Sequence, residues 1–138
     1  MQVQPYLFFN GRADEALEFY KKAIGAEVQM LMRWKDSPDK SMCTAENADQ
    51  IMHAQFQIGE TTIMTSDGRG GGKPSFEGFA LTIAAKDEAE ADKMFAALSA
   101  GGQVTMPMGK TFFSPRFGML ADKFGVQWMI NISAAPQG

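Results

Sequence analysis

The sequence contains one cysteine, one histidine and no long apolar run. Cys43 alone excludes an internal disulfide and is typical of a chain kept in a reducing cytoplasm. No apolar stretch approaches the roughly 20 residues that a membrane helix requires, and the first residues lack the basic-then-apolar pattern of a secretory signal. We therefore expect a cytoplasmic protein with no membrane partner.

Charge of either sign is also sparse. Charged residues make up 21% of the 138 residues, the formal net charge is −3, and no basic stripe is visible. Binding to nucleic acid through neutralised phosphates is therefore disfavoured. Hydrophobic residues make up 45%, which is typical of a globular chain, and this length predicts one domain with a sizeable core.

A short phrase occurs twice. The segment at 25–30, GAEVQM, returns at 101–106 as GGQVTM, and Phe19 maps onto Phe95 at the same offset of 76 residues. Both copies follow an apolar stripe with helical spacing. One duplication of this length predicts two similar halves that share a core, with a cleft where their two sheets meet.

The predicted elements follow the same order in each half. Helical periodicity and a glycine stop predict the helices, and alternating or apolar runs predict the strands. The fold class is α+β: two tandem βαβββ modules with mixed, curved sheets and helices on the outer faces. Module one spans 1–67, a glycine-rich linker 68–73, module two 74–132 and a loose tail 133–138. The elements are strand 3–9, helix 13–24 and strands 27–34, 51–58 and 61–66, then strand 77–84, helix 87–99 and strands 103–108, 115–121 and 126–132.

Several local motifs support a family resemblance. Two βαβββ modules resemble the vicinal oxygen chelate superfamily, which includes glyoxalase I, bleomycin-resistance proteins and extradiol dioxygenases. The local motifs resemble its PhnB-like branch, whose members often carry the label 3-demethylubiquinone-9 3-methyltransferase-like. They are PYLFFNG at 5–11, EALEFY at 15–20, His53-Ala54, Ile58-Gly59, Ser66-Asp67, FGM at 117–119 and DKFGVQWMIN at 122–131.

The resemblance implies a divalent metal, held by histidine or glutamate on the first and last strands of the modules, that polarises an oxygenated substrate. Carried onto this sequence, the ligand positions fall near Pro5, Met64, Phe79 and Met129, none of which binds a hard cation. With one histidine, no two-histidine site forms within a subunit. Thioethers would suit only a soft ion such as Cu(I). We expect no metal and no cofactor. Shifting the four ligand positions by one residue in either direction gives no better set of metal ligands. The positions reached are Gln4, Tyr6, Ile63, Thr65, Gly78, Ala80, Trp128 and Ile130.

A nucleotide-type cofactor has one candidate segment, the glycine cluster 68–72. A phosphate-binding loop needs Gly-Lys-Ser/Thr at the start of a helix, but Lys73 is followed by Pro74. A methyltransferase of the common fold would need a strand, a glycine-rich turn and a helix around the nucleoside. The cluster is therefore interpreted as a connector between the modules.

His53 has the widest chemical range. Alternation along 51–58 places it with Gln55 on the face opposite Ala54 and Phe56, where an imidazole could act as a base or hydrogen-bond partner, or could simply satisfy a neighbouring group. Arg116 is the best candidate to bind an anion; the alternatives are a solvated side chain or a pair with Asp122.

Two classes of function follow. The first is a metal-free binding protein for a small hydrophobic or aromatic molecule with an acidic group, held in a soft pocket. The second is an enzyme of the superfamily type, a lyase, isomerase or transferase of a small oxygenated substrate, that uses His53 and Arg116 or a ligand from a partner subunit. Either class is expected to be a homodimer, and a purely structural dimer module is a third option. The predicted ligand-binding residues are Arg116, Gln55, Met64, Phe79, Trp128 and Met129, with His53 as the catalytic candidate.

Overall fold

The computed structural model describes residues 1–68 and 74–132. Most of the predicted linker, residues 69–73, and the predicted tail 133–138 lie outside this range. The chain divides into two compact units, Met1–Pro74 and Ser75–Gly138. Within the described residues, neither helix is long and apolar enough to cross a membrane.

The first unit is a four-stranded sheet with one helix. The strand order is β1-β4-β3-β2, in which β1 runs parallel to β4 and the other pairs are antiparallel. A single 3-10 turn at Trp34–Asp36 follows β2. The elements are β1 (Tyr6–Phe8), α1 (Ala13–Ile24), β2 (Glu27–Arg33), β3 (Ile51–Ile58) and β4 (Thr61–Ser66).

The second unit repeats this plan. Its strand order is β5-β8-β7-β6, and again the first strand runs parallel to the last while the other pairs are antiparallel. The prediction of two βαβββ modules in an α+β fold is therefore confirmed. The elements are β5 (Leu81–Ala85), α2 (Glu88–Ser99), β6 (Gln103–Gly109), β7 (Phe117–Ala121) and β8 (Gln127–Ile132).

The first strand of each unit is shorter than predicted. Strand β1 begins at Tyr6 rather than at residue 3, and β5 begins at Leu81 rather than at 77. Pro5 has no N–H to donate, although its carbonyl accepts the N–H of Met64 at 3.0 Å. Gly78 has φ +86°, which extended backbone does not adopt, so the strand cannot run through it. Phe79 consequently precedes β5.

Helix α1 begins and ends with charges that suit its dipole. Acidic residues occupy its first turn and Lys21 and Lys22 its last. Gly25 follows in the left-handed conformation with φ +70°, and its N–H bonds to the carbonyl of Lys21. The buried side of the helix packs on β3, where the rings of Tyr20 and Phe56 stack with centroids 6.0 Å apart. The helix therefore lies over one face of the first sheet.

Helix α2 is capped differently. The Asp87 side chain accepts the N–H of Glu90 at 2.8 Å, which satisfies one of the free donors of the first turn. Ala91 and Leu98 are buried on the side that packs against the second sheet.

Within each described unit, the sheet therefore has one face under the helix of that unit and one face that this helix does not cover, which we call the helix-free face. On the first sheet, the fully buried side chains Leu7, Ala54 and Phe56 lie under α1. Because successive side chains of a strand point to opposite faces, their neighbours lie on the helix-free face. The same alternation on the second sheet places Leu120 and Ile130 in the core and their neighbours opposite.

Candidate functional site

One row of side chains crosses the helix-free face of each sheet. In the first sheet the pairing register aligns Tyr6, Met64, Gln55 and Met30 on β1, β4, β3 and β2. In the second sheet it aligns Thr82, Met129, Met119 and Met106 on β5, β8, β7 and β6. The repeat offset of 76 residues carries Tyr6 onto Thr82 and Met30 onto Met106. The two rows are therefore equivalent positions of the two modules.

A hydrogen bond between Tyr6 and His53 is the central contact of the first face. The Tyr6 hydroxyl lies 2.9 Å from Nδ1 of His53, and the two rings are 5.6 Å apart between centroids. The contact spans β4, which lies between β1 and β3 in the sheet. Burial raises the pKa of the Tyr6 phenol, and a hydrogen bond with Ser66 offsets part of that increase. The phenol therefore stays protonated at neutral pH.

Apolar and polar groups alternate around this contact. The Phe8 ring stacks on Tyr6 at 4.8 Å between centroids and is 54% exposed. Gln55, two residues along β3 from His53, lies between Met64 and Met30 in the row. The face thus combines aromatic and thioether surface with an imidazole, a phenol and an amide. This mixture is typical of a small-molecule site.

The second face has a different composition. Three of its four row positions are methionines, and the Thr82 hydroxyl donates a hydrogen bond to the Met129 sulfur at 3.7 Å. None of the four side chains in the second row carries an imidazole, a carboxylate or an amide. We therefore expect it to present a soft apolar surface.

The divalent metal that the resemblance implies does not fit these residues. The structure places Tyr6, not Pro5, beside Met64, and Thr82, not Phe79, beside Met129. A phenol, a hydroxyl and two thioethers are poor ligands for a hard cation. Across residues 1–68 and 74–132, no three His, Cys, Asp or Glu side chains cluster as metal ligands.

Arg116 is engaged away from these rows. Its guanidinium binds the Asp92 carboxylate of α2 through two hydrogen bonds, at 2.7 and 3.1 Å, and this pairing raises the pKa of the arginine. The expected alternative partner, Asp122, instead accepts the indole N–H of Trp128 at 2.9 Å. Arg116 therefore pairs with Asp92 of α2, and the predicted alternative of a pair with Asp122 is wrong.

The remaining candidates are separated by burial. Trp128 is 2% exposed and belongs to the core, whereas Phe79 is 47% exposed ahead of β5. Neither shares a row with Met64 or Met129. Of the predicted residues, His53, Gln55 and Met64 come together on the first face, and Met129 lies in the second row. The sequence-based prediction of the site did not include Tyr6 or Thr82, although the repeat offset of 76 residues places them at equivalent positions of the two modules.

Comparison with solved structures defines the class. A glyoxylase/bleomycin resistance protein/dioxygenase domain from Frankia superimposes with a TM-score of 0.66 at 16% identity, over 96% of this chain and 95% of that one. The two sheets and two helices therefore have the glyoxalase-like fold.

Sequence similarity identifies a narrower family within this fold. The sequence profile described as 3-demethylubiquinone-9 3-methyltransferase matches residues 1–131. Protein YjdN of Escherichia coli K12 is 34% identical over 140 residues, 96% of this chain and 95% of YjdN. Protein PA1353 of Pseudomonas aeruginosa is 36% identical with a TM-score of 0.85, over 96% and 98% of the chains. A Bacillus cereus PhnB protein is 27% identical with a TM-score of 0.80, over 96% and 100%. This chain belongs to the PhnB-like, 3-demethylubiquinone-9 3-methyltransferase-like family.

Proposed function

We propose that this protein binds a small, oxygenated aromatic or hydrophobic molecule, without a metal, on the helix-free face of its first sheet. The observation that carries the proposal is the hydrogen bond between Tyr6 and His53, 2.9 Å long, beside the exposed Phe8 ring. An apolar surface holds the body of such a ligand, and a few convergent polar groups orient it.

The proposal places the polar contact of the ligand at His53 rather than at Arg116. The arginine already holds a carboxylate in a bidentate pair, so a ligand would have to displace Asp92. A carboxylate on the ligand would instead meet the imidazole and the Gln55 amide, which lie on one face of β3. An acidic group is therefore compatible with the site.

Catalysis by His53 is the second candidate function. An imidazole hydrogen-bonded to a phenol is a common arrangement for proton transfer, and His53 is half-buried rather than enclosed. The substrate would then be a small oxygenated molecule, as in the superfamily. Methyl transfer, which the family description names, is not proposed. The described residues do not form the unit of a strand, a glycine-rich turn and a helix that binds the nucleoside in methyltransferases of the common fold.

The binding proposal is tested with acetophenone and benzoate, two small oxygenated aromatic probes, in NMR titrations of the full chain. We expect both probes to shift the His53 ring signals and the Met64 methyl signal. His53→Ala should weaken binding about tenfold, since a partly buried hydrogen bond is lost.

Arg116→Ala is the matched control and should leave the dissociation constant for benzoate within about twofold, because its guanidinium faces Asp92. The titration is repeated with EDTA, which should change neither affinity nor melting temperature. Shifts confined to residues outside the first face, or binding that requires added zinc, would contradict the proposal. An enzyme would show the opposite response to His53→Ala: turnover lost, affinity nearly intact.

We also propose that the chain forms a homodimer. Strands β2 and β6 lie at the edges of their sheets and expose Val28, Leu31 and Val104 at 46, 38 and 44%. Exposed apolar side chains on an unpaired edge strand favour association with a second copy. Sedimentation velocity at micromolar concentration should give the mass of a dimer. A single monomeric species across the concentration range would contradict this prediction.

A further inference from the structure

We infer that Tyr6 holds His53 in the tautomer protonated on Nε2, so that the first face offers an N–H donor and selects ligands whose oxygen accepts it. The ligand class is an aromatic or hydrophobic molecule with a ketone, aldehyde or carboxylate oxygen. This inference rests on the proposed function and assigns Tyr6 a positioning role at the same site.

The first step concerns the phenol proton. Burial keeps the Tyr6 phenol in its neutral form, so it carries one hydrogen to donate. Nδ1 of His53 lies 2.9 Å from the hydroxyl oxygen and is the acceptor for that hydrogen, because a phenol is the stronger donor and an imidazole nitrogen the stronger acceptor of the two.

The second step concerns the imidazole. A neutral imidazole has one donor and one acceptor nitrogen, so Nδ1 as acceptor leaves the ring hydrogen on Nε2. Within residues 1–68 and 74–132, the Tyr6 hydroxyl is the hydrogen-bond partner of the ring, and Nε2 has none. His53 is half-buried, so a ligand can reach that nitrogen.

The third step concerns the ligand. A group that bonds to the Nε2 hydrogen must be an acceptor, which excludes ammonium groups and favours carbonyl and carboxylate oxygens. The neighbouring surface from Phe8, Met64 and Met30 is apolar. An acceptor oxygen attached to an apolar ring therefore matches both features.

The tautomer is tested in the free protein. The chain has a single histidine, so its ring nitrogens give one unambiguous set of signals in a long-range proton–nitrogen NMR spectrum. With the ring neutral, we expect Nε2 protonated and Nδ1 bare. Tyr6→Phe keeps the ring stacked on Phe8 but removes the donor, and should produce a mixture of both tautomers. A protonated Nδ1 in the natural chain, or an unchanged spectrum in Tyr6→Phe, overturns the role of Tyr6.

Thr82→Val is the matched control. Thr82 occupies the position of Tyr6 in the second row, and the substitution likewise removes a hydroxyl with little change in shape. The His53 tautomer should be the same as in the natural chain.

The ligand class is tested with acetophenone and α-methylstyrene, which share a shape but differ in a carbonyl oxygen against a methylene. Acetophenone should bind about tenfold more tightly, and Tyr6→Phe should remove most of that preference while Thr82→Val retains it. Equal binding of the two probes on the first face overturns the ligand class and leaves the proposed function standing. Failure of both probes to perturb His53 or Met64 overturns the proposed function as well.

Discussion

Replacing Asp67 with alanine is expected to lower the free energy of unfolding by about 3–5 kcal/mol. The Asp67 carboxylate is 2% exposed and accepts the backbone N–H groups of Gly11, Ala13 and Ile51, each at 2.8 Å. These three groups lie at the start of α1 and at the start of β3. Without the carboxylate, buried donors lose their acceptor and the helix loses its tie to the sheet.

Urea unfolding of the natural chain and the variant measures this difference. Asp67→Asn retains one acceptor oxygen, so its free energy of unfolding should lie between those of the natural chain and Asp67→Ala. Asp14→Ala is the surface control: Asp14 pairs with Arg33 but is 56% exposed, so the loss should stay below about 1 kcal/mol. An Asp67→Ala protein within 1 kcal/mol of the natural chain would show that solvent replaces the carboxylate, against its burial in the structure.

Gly102→Ala is expected to lower the free energy of unfolding by about 2–4 kcal/mol. Its added Cβ would overlap the carbonyl oxygen of Ala121 and lie 2.7 Å from the carbonyl carbon of Asp122. Both neighbours are backbone atoms at the end of β7, so they cannot move aside as a flexible side chain can. The first module has Ala26 at the corresponding position of the repeat, so the requirement belongs to the second module alone.

Gly109→Ala provides the control for that prediction. Gly109 is the last residue of β6, the strand that follows Gly102, and the nearest atom to its added Cβ is the Pro107 carbonyl oxygen at 4.0 Å. We expect a change within about 0.5 kcal/mol by the same denaturation measurement. Equal losses of stability in the two variants would indicate a general effect of replacing glycine in this part of the chain rather than the predicted steric overlap at Gly102.

The repeated phrase predicted the fold because its physical requirements are local. Gly25 and Gly101 both follow a helix and both adopt the left-handed conformation, with φ of +70° and +76°. Helical spacing and alternation likewise depend on near neighbours, so the two helices and the order of the strands could be predicted. The placement of Ala54 and Phe56 on the face opposite His53 was also predicted from alternation, and both side chains are buried.

The candidate site was predicted only in part, because strand register is not a local property. A shift of the pairing register by one residue turns every side chain of the strand to the other face. An error in the predicted start of a strand therefore changes which of its residues are assigned to the site. The left-handed Gly78 delays β5 to Leu81, which puts Thr82 rather than Phe79 beside Met129. Trp128, next in the chain to Met129, consequently belongs to the core.

By itself, the sequence determined which chemistry is available: one imidazole, no second histidine, and thioethers at two of the positions where the resemblance would place metal ligands. Only the tertiary structure decided which groups meet. Tyr6 and His53 are 47 residues apart, and they touch because β1 pairs in parallel with β4, which in turn pairs with β3. Arg116 meets Asp92 because α2 packs on β7 and β8. Pairing between distant strands depends on the packing of the whole unit, which no short stretch of sequence encodes.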